Sequence, residues 1–182
     1  MTGAVSRRYA KAIFSLAQEE GRLEDTAADL ERLAAAVSDP ELAGTIANPL
    51  LAPAARLGIA KALGDGLELP PTLRDFLALL ADHHRLDQLV PIHRQFQRLV
   101  DQALGRVRAT VTSAADIDPA RRREILAVFE RVTGKTVLAE WRIDPDLLAG
   151  IAVDIRGTVY DGSLRTQFDR LARAIAGSRS YL

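Results

Sequence analysis

The apolar residues change period at Gly105, and that break constrains the fold more than any other feature of the chain. Before it, apolar side chains return every three or four residues; after it, Val107, Ala109 and Val111 alternate with Arg108, Thr110 and Thr112. A helix buries one stripe at a period near 3.6 and a strand buries one face at a period of two. The chain is therefore expected to be mainly α, with a six-helix bundle over residues 1–104 and a small α+β domain over 105–182.

Within the first part, Val5, Tyr9, Ile13, Leu16 and Ala17 mark a helix closed near Gly21. Ala27, Leu30, Leu33, Ala34 and Val37 mark a second, with acids at its start where the helix dipole favours them. Asp39-Pro40 opens a short third helix, because proline lacks only an N–H that has no intrahelical partner in the first turn. Pro53 to Leu63 predicts a fourth, closed by Gly64-Asp65-Gly66. Pro71 to about Asp82 predicts a fifth, with Leu73, Phe76, Leu77 and Leu80 in register. The sixth spans about Leu86 to Ala103 and requires Pro91 in its first turn.

In the second part, Asp118-Pro119 starts a helix whose buried face is read as Ile125, Val128, Phe129 and Val132, with Gly134 ending it. Val137, Ala139, Trp141 and Ile143 then alternate as a second strand, and Ile151, Val153 and Ile155 as a third. Gly157 turns into a short fourth at Thr158–Tyr160, and a last helix begins near Asp161 or Ser163, burying Leu164, Phe168, Leu171, Ala172 and Ile175.

Charge removes several functional classes. Basic and acidic residues number 24 each, so no polyanion-binding surface and no nucleic-acid partner is expected. Cysteine is absent, which excludes disulfides and thiolate chemistry. No apolar run approaches the roughly 20 residues that span a bilayer, and the first residues enter a charged helix, which points to a cytoplasmic or peripherally bound chain.

Recognisable catalytic patterns fail on inspection. Gly134-Lys135-Thr136 imitates the end of a phosphate loop, but Phe129 stands where that loop needs its first glycine. His83 and His84 are adjacent and point about 100° apart on a helix, so they do not converge on a metal; the helix end gives them a capping role. Asp144-Pro145-Asp146 is the pattern of a turn, and Arg121-Arg122-Arg123 lacks interleaved aromatics that would stack on bases. No catalytic, cofactor or metal residue is expected. Two other readings stand beside this one: a small hydrolase or transferase using Asp144, Asp146 or Asp161, and a generic helical adaptor.

Two motifs carry a family resemblance. Arg8-Tyr9-Ala10-Lys11-Ala12-Ile13-Phe14 resembles the opening of the F-type ATP synthase delta subunits and their mitochondrial oligomycin-sensitivity-conferring counterparts. Asp146-Leu147-Leu148-Ala149-Gly150-Ile151, Gly157 and Asp161-Gly162-Ser163 resemble that family's C-terminal signature, with Ala149 where many relatives have the first glycine of a pair. Leu147, Leu148, Gly150, Gly157, Asp161 and Ser163 are read as determinants of fold.

The resemblance implies a non-catalytic stator component, one copy per complex, peripheral on the cytoplasmic side of a bacterial inner membrane. Residues 1–104 would hold the catalytic head by its alpha-subunit N-termini, one of them as a helix in a groove walled by Tyr9, Ile13 and Leu16 of the first helix and Phe76, Leu77 and Leu80 of the fifth. Residues 105–182 would hold the b-type subunits of the peripheral stalk.

Overall fold

The computed structural model describes residues 2–145, 147, 150–155 and 158–161. The chain is mainly helical with a small sheet, and it divides into two compact units between Val100 and Asp101.

The first unit contains α1 (Thr2–Glu19), α2 (Leu23–Ala36), α3 (Pro40–Ala47), α4 (Pro53–Gly66), α5 (Pro71–Asp82) and most of α6 (Leu89–Ala103), the last preceded by a 3-10 turn at Leu86–Gln88. Local chemistry sets most of these ends. The Asp39 carboxylate accepts the amides of Glu41 and Leu42 at 3.0 and 3.1 Å, capping α3 with Pro40 at its start. After α1, Gly21 turns left-handed at φ +67, and Arg22 N–H reaches back to the Ala17 carbonyl at 2.8 Å while Gly21 N–H bonds Gln18. The same closure follows α4 at Glu68 (φ +51) and α5 at His84 (φ +56), although neither residue is glycine.

Two details differ from the sequence reading. α4 runs through Gly64 and Gly66 instead of stopping at Leu63. Glycine weakens a helix without ending it, and Gly64 is where the Arg74 side chain lies against the helix: an added Cβ would sit 3.1 Å from Arg74 Cγ. The sixth helix, read as beginning near Leu86, starts with the 3-10 turn and becomes α-helical at Leu89, which leaves Pro91 in its first turn. The core of the unit is continuous, with Ile13, Leu33, Leu77, Leu80, Ile92 and Phe96 among its fully enclosed side chains.

The second unit contains β1 (Arg106–Ser113), α7 (Pro119–Thr133), β2 (Thr136–Ile143), β3 (Ile151–Ile155) and β4 (Thr158–Asp161), in the sheet order β2-β1-β3-β4. β1 and β2 are parallel, from Arg106 opposite Thr136 to Ser113 opposite Ile143, and α7 is their crossover. β3 runs antiparallel to β1, and β4 antiparallel to β3. The alternation read at Val107, Ala109 and Val111 is the buried face of β1.

Asp118 caps α7, and Gly134 ends it left-handed at φ +64. The buried face of α7 needs correction: Ile125 is buried and Leu126 and Phe129 pack against the core, but Val128 and Val132 are 47% and 68% exposed. The line of contact with the core passes through Ile125, Phe129 and Leu126, and the 3.6 period carries Val128 and Val132 off to its other side. Among the described residues, no helix is long and apolar enough to cross a membrane.

Candidate interaction site

α1 and α5 are neighbours, tied by two contacts. The Tyr9 and Phe76 rings meet edge to face with centroids 6.3 Å apart, and the Thr72 hydroxyl donates to the Glu20 carboxylate at 2.8 Å. As the chain advances from Tyr9 to Glu20, the partners on α5 run backwards from Phe76 to Thr72, so along this contact the two helices run in opposite senses.

The six residues expected to wall a groove divide along this seam. Tyr9, Ile13, Phe76, Leu77 and Leu80 are buried in the unit's own core, whereas Leu16 is 46% exposed. Helical spacing places Leu16 on the same stripe as Tyr9, Ile13 and Glu20. The same spacing places Leu79, also 46% exposed, with Thr72 and Phe76 on α5. Leu16 and Leu79 are thus the exposed leucines on the two stripes that meet at Tyr9 and Phe76, one on either side of that ring contact. Sequence reasoning passed over Leu79 because it lies outside the buried stripe of α5; its spacing of three from Phe76 was the available signal. Ala10 is enclosed and Ala12 is exposed beside Leu16, a small side chain where another helix can come close.

Of the remaining candidates, Leu147, Gly150 and Asp161 fall among the described residues. The Leu147 N–H donates to the Asp144 carbonyl at 3.1 Å, closing a turn, and the Asp144 N–H donates to the Ser113 carbonyl at 2.9 Å, beside the end of β1. Gly150 holds φ +98 immediately before β3, a conformation that disfavours a side chain. Asp161 ends β4. Asp146, Leu148, Gly157, Ser163, the final helix and its capping by Asp161 or Ser163 lie outside the described residues.

His83 Nδ1 bonds the Leu79 carbonyl at 2.9 Å at the end of α5, while the buried Arg56 guanidinium donates to the His84 ring. Each arginine of the triplet on α7 has a local acceptor: Arg121 bonds Glu124, Arg122 bonds Asp116 and lies 5.0 Å over the Trp141 ring, and Arg123 bonds the Pro119 carbonyl. Gly134-Lys135-Thr136 leads out of α7 into β2, the reverse of the order that aims amides at a phosphate.

A family model described as ATP synthase delta (OSCP) subunit matches residues 5–175. A protein named ATP synthase subunit delta from Anaeromyxobacter sp. (strain Fw109-5) is 40% identical over 174 residues, covering 95% of this chain and 97% of its own. ATP synthase subunit delta 1 of Syntrophotalea carbinolica is 38% identical, covering 93% and 95%. Among solved structures, a chain of the Toxoplasma gondii mitochondrial ATP synthase hexamer matches with a TM-score of 0.67 at 20% identity, over 94% of this chain and 97% of that one, a likeness of fold.

Proposed function

The chain belongs to the ATP synthase delta (OSCP) subunit family, a non-catalytic subunit of the complex, and from that premise we propose how it serves as a stator connector. Residues 1–104 act as a six-helix bundle that receives the N-terminal segments of the head's alpha subunits. The α+β domain that follows holds the C-terminal ends of the b-type stalk subunits. One copy serves each complex, bound peripherally on the cytoplasmic side of a bacterial inner membrane.

The observation that carries the reading is the exposure of Leu16 and Leu79 on the stripes of α1 and α5 that meet at Tyr9 and Phe76. Both leucines are exposed, and the Tyr9 and Phe76 rings on the same helical stripes already pack against each other, so little has to be rearranged when an amphipathic helix binds. A surface that buries apolar side chains from a partner helix at i, i+3 and i+4 suits this mode. The torque of a turning shaft loads the head sideways, so a stator must grip at both ends, and two units in series supply two grips.

The test is to titrate the full chain with an alpha-subunit N-terminal peptide and to repeat it with Leu16→Asp and Leu79→Asp. Both changes are on exposed side chains and should leave the helical circular dichroism unchanged while weakening binding at least tenfold, the loss of roughly 1.4 kcal/mol or more. Undiminished binding by both variants would remove these two leucines from the interface. Reconstitution of stripped membranes supplies the second readout, since the same variants should fail to restore coupled ATP synthesis.

A further inference from the structure

The first turn of α4 carries a buried positive charge that no carboxylate of the described residues meets. Arg56 is only 4% exposed. Its guanidinium touches the His84 ring through Nη1, while its Nε and Nη2 make no hydrogen bond among the described residues. A buried charge is costly unless a counter-ion or a full set of acceptors accompanies it. The last carbonyls of α5 do not fill that role, because the amides of His84 and Arg85 already take those of Ala81 and Leu80 at 3.2 and 2.8 Å.

The surroundings add to the charge. Arg56 meets His84 while Gly64 lies against Arg74, so α4 and α5 run in opposite senses and the start of α4 lies beside the end of α5. A helical side chain leans toward the N-terminus of its own helix, which carries the guanidinium toward the first amides of α4. That end is open. The cap position is Ala52, which offers no side-chain acceptor, Pro53 follows it, and the first turn holds no acid. The Arg56 N–H reaches the Ala52 carbonyl at 3.0 Å, but the Ala54 and Ala55 N–H groups have no acceptor among the described residues, and residues 52–55 are exposed.

We propose that the start of α4 is an oxyanion site: an ion of the phosphate class binds there, held by the Ala54 and Ala55 amides and by the free N–H groups of Arg56, with His84 steadying the guanidinium. Free amides at the positive end of a helix dipole favour an anion, and a guanidinium fork suits the oxygens of a tetrahedral one. The ion supplies the charge that Arg56 lacks. Because the site exists only where α4 and α5 are packed together, the ion stabilises the folded helical unit increasingly as its concentration rises.

The test titrates the full chain with inorganic phosphate while sodium chloride holds the ionic strength constant. The Ala54 and Ala55 amide resonances should move in a saturable way at millimolar phosphate, and the melting temperature of the helical unit should rise by a few degrees. Ala52→Asp is the decisive variant. The backbone at Ala52 (φ −59, ψ 144) matches that of the capping residues Asp39 (φ −57, ψ 129) and Asp118 (φ −61, ψ 153), so the new carboxylate should accept the same two amides and supply the same charge. That protein should fold, melt higher than the parent without phosphate, and bind phosphate at least tenfold more weakly. Arg56→Lys keeps the charge without the fork and should weaken binding several-fold. Ala54 and Ala55 amides that stay still under phosphate would overturn the site, as would a response that survives Ala52→Asp. An equal response to acetate would overturn the assignment to phosphate.

Discussion

Two left-handed residues show how one backbone feature has opposite consequences in different surroundings. Glu68 and His84 both close a helix at positive φ, a position that costs a side-chain-bearing residue about 1 kcal/mol relative to glycine. Glu68 is exposed, so Glu68→Gly should stabilise the protein by about 0.5 kcal/mol after the added chain entropy of glycine is counted, and raise the melting temperature by a few degrees. His84→Gly relieves the same strain but removes the ring that accepts from the buried Arg56 guanidinium, and a stranded buried donor costs about 1–3 kcal/mol. That variant should melt lower than the parent, and a rise in its melting temperature would show that Arg56 finds another acceptor. The same logic separates Leu77 from Leu79. They are two positions apart on α5, yet charging enclosed Leu77 should unfold the unit and charging Leu79 should only block docking.

Elements were legible where their ends are decided locally. Asp39-Pro40, Pro53, Pro71 and Asp118-Pro119 announced four helix starts because capping and the missing proline N–H act within one turn of the chain. Asp118→Ala should therefore cost about 1 kcal/mol and be seen as faster hydrogen exchange confined to the first turn of α7, since the carboxylate holds only the Ala120 and Arg121 amides. The inward side of an element was harder to read. Val128 and Val132 share the helical period of Ile125 and Phe129, and only the placement of the core decides that Leu126 turns inward in their place. The α1 and α5 seam follows the same rule. Periodicity identified the stripes carrying Tyr9, Ile13 and Phe76, but which apolar side chains stay exposed depends on how the two helices are set against each other, and on these stripes they are Leu16 and Leu79.

At the scale of the molecule, the break in period at Gly105 signalled two different architectures, and each unit has a hydrophobic core that shares no residue with the other among the described residues. Separate cores imply separately adjustable stabilities. Leu33 is enclosed in the helical core, so Leu33→Ala should destabilise that unit by about 2–5 kcal/mol, whereas Val111→Ala should act on the sheet. Calorimetry of the parent is expected to resolve two transitions, with each variant lowering one of them; equal movement of both would show that the units unfold together. The consequence for a connector is direct. Between its own two transitions the Leu33→Ala protein should lose the alpha-subunit peptide yet retain the stalk peptide, because the unit proposed to hold the head has melted and the unit proposed to hold the stalk has not. Loss of both peptides at the lower transition would mean that one grip depends on the other.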